Sequence, residues 1–254
     1  MEYFMQPEVL MLLAGVALVA GFVDTLAGGG GLIVIPALLL AQVPPVYAIA
    51  TNKLQGCFGT LTSATTMIRR DMVSRGRVRI PFAMAFAGAM LGAFVIQKIP
   101  AGIVDKVIPL VLISIALYFI CAKSPGEVDT PETMPVRIYN MTVVPLIGFY
   151  DGAFGPGAGS FYTLGGVALA GKNLIRATAN AKVLNFASNL AALIIFILGG
   201  KVLWVVGAVM SVGTILGAWL GSLVIIHRGT QIIRPAIVTM SLIMLCTYLL
   251  KTYS

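Results

Sequence analysis

The sequence predicts an all-α integral membrane protein built from two repeats, and three observations lead to that prediction. Hydrophobic residues make up 59% of the 254 residues, and charged residues only 10%. A soluble chain of this size needs far more charge to cover its surface, so a lipid bilayer is the expected solvent. The second observation is a set of long apolar segments, and the third is a motif that occurs in both halves of the chain.

The apolar segments predict about eight transmembrane helices, since a helix of roughly 17–25 residues crosses a bilayer. They occupy residues 8–27, 45–68, 80–97, 103–122, 139–155, 173–198, 202–226 and 231–250. Two shorter apolar pieces, 32–43 and 160–171, are expected to form half-helices or re-entrant arms. A polar, proline-rich linker at 123–138 divides the single membrane domain into a first repeat (1–122) and a second repeat (139–254).

One motif occurs in both halves in the same order. An aspartate near the end of a long segment leads into a run of glycines, and a lysine follows within the next long segment. The motif comprises Asp24, Gly28–Gly31 and Lys53 in the first half, and Asp151, Gly155–Gly159 and Lys182 in the second. The aspartate and the lysine are 29 positions apart in the first copy and 31 in the second. Such a duplicated unit, with a glycine break and a charge at membrane depth, is typical of secondary transporters.

The basic loops favour an inverted repeat. Five arginines lie in the loop after the second long segment and predict that this loop is cytoplasmic: Arg69, Arg70, Arg75, Arg77 and Arg79. The corresponding loop of the second half, residues 199–201, has a single lysine, and the basic residues there lie at the other end of the helix. Both chain termini are then expected outside the cell. A parallel four-plus-four repeat is the alternative.

The glycine blocks are candidate anion sites. Glycine lets the backbone leave helical geometry, and the freed N–H groups of the following half-helix point the same way as the helix dipole. The residues expected to contribute are Gly29, Gly30, Gly31, Gly157, Gly159 and Ser160. Close helix packing of the small-xxx-small type is the alternative interpretation. A nucleotide-binding loop is not expected, because no Gly-Lys-Ser/Thr follows either block.

Two lysines lie deep in otherwise apolar segments. Lys53 follows Pro45 closely enough to lie roughly 12 Å into its helix, and Lys182 has a similar depth past Asn173. An ammonium group near the midplane costs at least about 2.5–3.5 kcal/mol, so each lysine is expected to face a partner or a wet cavity. Both are candidate ligands for an anionic substrate. The alternative is that each forms a structural ion pair with one of the two aspartates.

Amide side chains lie beside both lysines. Asn185 and Asn189 follow Lys182 at positions i+3 and i+7, which places all three on one helix face. Asn52 and Gln55 flank the lysine of the first copy. These four amides complete the predicted substrate-binding set, and interhelical packing bonds are their alternative role.

The two copies differ where the site is expected. Gly56 and Thr60 occupy the positions that Asn185 and Asn189 hold in the second copy, so a site between the repeats receives unequal contributions. Asp24 and Asp151 end the first helix of each half. They are expected to pair with the lysines or to take up a proton during coupled transport.

Other functional classes receive no support. The net charge of +8 follows from cytoplasmic loops that collect lysine and arginine, so no nucleic-acid partner is expected. The three cysteines lie in apolar segments without metal-ligand spacing, so no metal or other cofactor is expected. No nucleophile–base constellation lies at membrane depth, so no enzymatic activity is expected. The chain carries no ATP-binding motif, which leaves a proton or sodium gradient, or a separate partner, as driving force.

The paired motifs resemble the TauE/SafE family of membrane permeases, also called the sulfite exporter or toluenesulfonate uptake permease family. The matching residues of the first half are Asp24, Gly28–Gly31, Leu32, Ile33, Pro36 and Thr51–Gln55. Those of the second half are Gly155–Gly157, Gly159–Phe161, Ala181, Lys182, Asn185, Ser188 and Asn189. The resemblance covers essentially the whole chain. It implies a bacterial inner-membrane protein of about eight helices that moves sulfur-containing anions.

The expected function is therefore secondary transport of a small anion, a sulfonate, sulfite or related oxyanion. The lysines and glycine breaks would hold the anion at the midplane while the repeats rock around it. An anion channel that uses the same charges as a filter is the alternative. The partners expected are the anion, the lipid bilayer and a coupling ion, and a homo-oligomer is compatible with this scheme.

Overall fold

The computed structural model describes residues 3–74, 76–100, 102–103 and 131–228. Within these ranges the secondary structure is helical and contains no β-strand, which confirms the all-α prediction. A short 3₁₀ helix at Tyr3–Met5 comes first. Eight α-helices follow, the last given as far as the described residues reach: α1 (Pro7–Ala27), α2 (Gly31–Leu40), α3 (Pro45–Arg69), α4 (Arg79–Ile96), α5 (Val136–Ala153), α6 (Ala158–Ala168), α7 (Leu174–Leu198) and α8 (Trp204–Arg228).

Six of the expected long segments coincide with α1, α3, α4, α5, α7 and α8, to within three residues at each end. Four of these helices, α1, α4, α7 and α8, are long and apolar enough to cross a membrane by length and composition. The chain is thus consistent with a membrane protein. The expected segment 231–250, nearly all of segment 103–122 and the first half of the linker 123–138 lie outside the described residues.

The two short apolar pieces are short helices. α2 has 10 residues and α6 has 11, and both end about three residues earlier than the sequence suggested. At about 1.5 Å per residue each is roughly 15 Å long, half the thickness of the hydrocarbon core. Neither crosses a bilayer by itself.

Local sequence sets several helix ends. Prolines occupy the first turns of α1 and α3, where the missing N–H has no intrahelical acceptor. Gly28 caps the C-terminus of α1 with a φ of 76°, a left-handed conformation that residues with a side chain rarely adopt. Asn173 caps the N-terminus of α7, and its side-chain oxygen accepts a hydrogen bond of 3.0 Å from the Arg176 N–H.

The two ends of the helix bundle differ in charge. One end gathers the ends of α3 and α8 with the starts of α4, α5 and α7, and we call it the arginine-rich end. Its described basic residues are Arg69, Arg70, Arg77, Arg79, Arg137, Lys172 and Arg176, beside Asp71 and Glu132. At the opposite end, where α1, α3 and α8 begin, the described charged residues are Glu8, Lys98 and Lys201.

Glycines permit the closest helix contacts, and these join the two halves. α1 packs parallel to α8, and α4 packs parallel to α5. On α8, Gly213 and Gly217 face Ala14 and Leu18 so closely that a Cβ on either glycine would overlap α1 backbone. The α4–α5 contact repeats this arrangement with the glycines Gly88, Gly92, Gly148 and Gly152. Small residues four positions apart let helix backbones approach in membranes.

The lysine-bearing helices α3 and α7 contact each other and run antiparallel. Near the start of α3, Ile49 packs in the same apolar cluster as Ala192 and Phe196 from the end of α7. Near the end of α3, Met67 packs with Leu174 from the start of α7. The two lysine-bearing helices therefore point in opposite directions.

Candidate functional site

The two glycine breaks meet in the interior of the molecule. Gly28 lies against the backbone of Gly159 and Ser160, and a Cβ on Gly28 would overlap both. The Ser160 hydroxyl donates a hydrogen bond to the Ala27 carbonyl oxygen across this contact. The first turns of α2 and α6 thus lie side by side, although one belongs to each half of the chain.

Both half-helices direct free N–H groups to this meeting point. Within the described part of the chain, the backbone N–H groups of Gly29, Gly31, Gly157 and Gly159 make no hydrogen bond. The first amides of a helix carry the positive end of its dipole. Two such ends in contact create a region that favours negative charge.

Lys53 is sealed in an ion pair with Asp151 of the other half. Its Nζ lies 2.5 Å from Asp151 Oδ1 and 3.2 Å from the Asn189 side-chain oxygen, and the two charged side chains are 0% and 1% exposed. The second carboxylate oxygen of Asp151 accepts hydrogen bonds from Asn185 Nδ2, at 2.6 Å, and from the Ser188 hydroxyl. Asp151 therefore has three side-chain donors.

Lys182 forms the corresponding pair with Asp24, again across the two halves. Lys182 Nζ lies 3.2 Å from Asp24 Oδ2 and also donates to the Asp24 carbonyl oxygen. The Gly30 N–H donates to Asp24 Oδ1 at 3.0 Å. The Asp24 side chain is 20% exposed, whereas that of Lys182 is only 1% exposed. Asp24 thus has one side-chain donor and free space beside it.

The first repeat lacks the side chains that enclose Asp151. Aligning Lys53 with Lys182 places Gly56 opposite Asn185 and Gly59 opposite Ser188. Both donors to Asp151 are therefore replaced by glycine in the helix that faces Asp24. The sequence comparison identified Gly56 as a difference, and the structure adds Gly59.

A polar cavity lies beside these glycines. Its polar walls are Asp24, Asn52, Gln55, Thr60, Asp151, Asn185, Asn189 and Thr214, and its glycine walls are Gly21, Gly28, Gly30, Gly31, Gly56, Gly59, Gly155 and Gly159. The free volume is about 30 Å³. That is room for about two water molecules.

A chain of hydrogen bonds fixes one wall. The Thr214 hydroxyl donates to Gln55 Oε1, and Gln55 Nε2 donates to Asn52 Oδ1 at 2.8 Å. Asn52 Nδ2 then has no hydrogen-bond acceptor among the described residues, and neither has Asn189 Nδ2. Both amide nitrogens are donors available to a ligand in the cavity.

The structure brings most of the predicted site residues around one cavity. Those that line it are Asp24, Gly30, Gly31, Asn52, Gln55, Asp151, Gly159, Asn185 and Asn189. Lys53 and Lys182 do not line it, because each is buried behind the carboxylate that it binds. Gly29, Gly157 and Ser160 do not line the cavity, and Ser160 lies in the contact with Gly28.

Sequence reasoning missed Thr214 and Gly59. Thr214 is a polar residue in an apolar span directly after Gly213, and that combination is a signal for an interior-facing position, although a weak one. Gly59 becomes visible once the two lysine helices are aligned residue by residue. The described residues contain no group of acidic, histidine or cysteine side chains that could hold a metal ion.

Comparisons with known proteins match nearly the whole chain. The family model described as "Sulfite exporter TauE/SafE" matches residues 13–248. The chain is 45% identical over 242 residues to "Probable membrane transporter protein YfcA" of Escherichia coli (strain K12), covering 95% of this chain and 90% of that protein. It is 44% identical over 236 residues to "Probable membrane transporter protein ORF9" of Sinorhizobium sp, covering 92% and 90%.

A further relative, "Probable membrane transporter protein" of Haemophilus influenzae, is 43% identical over 237 residues, which cover 93% of each chain. No solved structure matches the chain.

Proposed function

The chain belongs to the sulfite exporter TauE/SafE family of membrane transporters, and from this premise we propose that it is a secondary permease for a small anion. The anion binds in the central cavity and crosses by alternating access. The observation that carries the proposal is the convergence of two half-helix N-termini and a partly open lysine–aspartate pair on one polar cavity.

The Lys182–Asp24 pair is the substrate-binding end of the cavity in this proposal. Lys53 is already satisfied by Asp151 and Asn189, so it holds the fold together. Asp24, by contrast, is partly exposed and lines the cavity together with Gly56, where a side chain would have room. The free amide nitrogens of Asn52 and Asn189 supply neutral donors to its oxygens.

A sulfonate, sulfite or related sulfur oxyanion is the proposed substrate class. Several oxygens on one small centre can accept hydrogen bonds from amides on opposite walls at the same time, as this cavity offers. The family description supports the same class. The described cavity is too small for such an anion, so binding requires an outward or inward opening, which favours a carrier over a continuous channel.

We place the two repeats in opposite orientations. α3 and α7 run antiparallel, and the α1–α8 contact has its counterpart in the α4–α5 contact. A two-fold axis in the membrane plane accounts for both features. The positive-inside rule then puts the arginine-rich end in the cytoplasm of a bacterial inner membrane and the N-terminus in the periplasm. A last span at 231–250 would return the C-terminus to the periplasm.

A proton is the favoured coupling ion, with sodium as the alternative. Two lysines and two aspartates make the site neutral, so a monovalent anion leaves it with one uncompensated negative charge. Such a charge is costly at membrane depth. Protonation of Asp24 restores neutrality and frees Lys182 for the anion.

The test is anion uptake into liposomes that contain the purified protein. A thermal-shift screen of sulfite, small sulfonates, sulfate and carboxylates first identifies the ligand. The variant Lys182→Ala should then lose about tenfold or more of the uptake rate, because a charged donor is removed from a buried site. Lys201→Gln is the matched control. It also removes a lysine charge, but Lys201 lies outside the cavity, 5.2 Å above the Tyr47 ring at the end of the bundle opposite the arginine-rich end.

Counterflow separates carrier from channel. Preloading the liposomes with unlabelled anion should accelerate uptake of labelled anion and saturate with concentration. Conductance at single-channel rates without counterflow would refute the carrier and favour the channel. Uptake that is unchanged in Lys182→Ala would refute the assignment of Lys182.

A further inference from the structure

A second, smaller cleft lies at the arginine-rich end, outside the central cavity. The starts of α4, α5 and α7 and the second half of α6 enclose it, and its polar lining includes Tyr139, Asn140, Tyr162, Lys172 and Asn180. Its free volume is about 10 Å³, room for one water molecule. None of the predicted substrate-binding residues lines it.

Tyr162 separates this cleft from the wall of the central cavity. Its side chain is 1% exposed and lines the cleft, and its hydroxyl has no hydrogen-bond partner among the described residues. On the other side, Ser188 lies beside the same hydroxyl. The Ser188 hydroxyl donates to Asp151 Oδ2, so only its oxygen can face the Tyr162 hydroxyl, as an acceptor. Tyr162 is therefore a buried hydroxyl group between the cleft and the hydrogen bonds of Asp151.

Lys172 provides an under-compensated positive charge at the mouth of the cleft. It lies in the loop between α6 and α7 and forms no ion pair within the described ranges. Burial lowers the pKa of Lys172, the nearby Arg77 lowers it further, and Glu132 opposes the change. A desolvated ammonium beside a second cation is a place where an anion is favoured.

The counterpart of Tyr162 in the other half is apolar. Counting from the aligned glycines Gly28 and Gly155, that counterpart is Ile35. Ile35 is 1% exposed and packs in an apolar cluster with Ile49, Ile96 and Phe196. The two halves therefore differ at this position as they differ at the central cavity.

We propose that this cleft is a second anion subsite, the mouth through which the substrate passes between the arginine-rich end and the central cavity. Lys172 captures the anion, and the Tyr162 side chain is the gate that swings aside, its hydroxyl donating to the passing anion. This inference rests on the proposed anion transport. Its ligand is the same small oxyanion as in the central cavity.

The path can be tested without any knowledge of the transported substrate. Asn180 is replaced by cysteine in a variant that lacks Cys57, Cys121 and Cys246, and vesicles of both orientations are treated with membrane-impermeant methanethiosulfonates. One reagent carries a sulfonate and the other a quaternary ammonium group. Thr51→Cys, at the position equivalent to Asn180 in the first repeat and fully buried, is the matched control.

Asn180→Cys should react only from the arginine-rich side, and faster with the sulfonate reagent. Adding Lys172→Gln should reduce that preference by about tenfold. Thr51→Cys should react with neither reagent. Two results would overturn the proposed subsite. One is that both reagents label Asn180→Cys at equal rates, and the other is that neither labels a variant that elutes as folded protein.

The gate is tested at a deeper position. Asn185→Cys should be unreactive with Tyr162 present and should react from the arginine-rich side when Tyr162→Ala is added. In Tyr162→Phe, which keeps the ring, Asn185→Cys should stay protected while anion uptake slows several-fold. Protection of Asn185→Cys in the Tyr162→Ala variant would refute the gate. Labelling does not require transport. If the cleft is labelled as expected but the protein takes up no anion, the transport proposal is refuted and the proposed cleft is not.

Discussion

The two lysine–aspartate pairs have equivalent places in the two halves but different surroundings. Asp151 has three side-chain donors and is 1% exposed, whereas Asp24 has one side-chain donor and is 20% exposed. The difference arises because the first repeat has glycines at the positions of Asn185 and Ser188. The two halves thus have similar ion pairs, and only the aspartate of the first half is partly exposed. This difference separates a pair that stabilises the fold from a pair that is available for ligand.

The largest expected effect concerns stability. Lys53→Ala should destabilise the protein by about 3–5 kcal/mol, because it leaves the buried Asp151 without its cation. Lys182→Ala should cost clearly less, since the partly exposed Asp24 can be hydrated. Thermal unfolding of both variants in the same detergent measures the difference. Equal losses of stability would contradict the distinction between the two pairs.

The next effect concerns transport. Gly56→Asn installs the amide of the second repeat beside Asp24, and its Cβ has only ordinary contact with Asn189, at 3.5 Å. We expect a folded protein whose cavity is filled and whose uptake rate falls about tenfold or more. Liposome uptake and a melting curve of the same sample give the answer. Gly15→Ala, where a Cβ meets no atom within 4 Å, is the control and should transport normally.

The third effect concerns proton coupling and should be several-fold. Lowering the pH on the side of the anion should stimulate uptake by the unmodified protein, since a proton on Asp24 keeps the site neutral when the anion binds. Lys182, Lys53 and Asp151 are the other charged groups in the described site, and the Asp24→Asn variant keeps all three. Asp24→Asn should bind the anion but lose this stimulation and any proton uptake measured with a pH-sensitive dye. Sodium-dependent stimulation in its place would identify the alternative ion.

The smallest effect concerns the hydrogen-bonded wall. Thr214→Val removes the hydroxyl that donates to Gln55 while keeping the volume of the side chain. The expected loss is about 0.5–1.5 kcal/mol of stability, with a weaker anion affinity because Asn52 is no longer held in place. Ser211→Ala, which loses only a bond to the Gly207 carbonyl oxygen of its own helix, is the matched control. If Thr214→Val and Ser211→Ala bind the anion with equal affinity, the hydrogen-bonded wall does not contribute to anion binding.

Much of this organisation was predicted from the sequence. The apolar segments located six helices, and the glycine blocks correctly marked two short helices between longer ones. The candidate site residues were chosen separately in each repeat, and nine of the predicted fourteen line one cavity. The helix contacts at Gly88, Gly92, Gly213 and Gly217 were not predicted, although their spacing of four is a readable signal. The binding roles of Lys53 and Lys182 stay predictions.

The sequence by itself determined the composition, the duplicated motif and the helical periods, because each depends on residues close together along the chain. Only the tertiary structure decided which aspartate pairs with which lysine and where free space remains. These pairings join residues 98 and 158 positions apart, and the spacing within one repeat says nothing about contacts across two. Free volume likewise depends on every wall at once. The sequence shows that Gly56 is small, but only the packing of α1, α3, α7 and α8 shows that nothing fills its place.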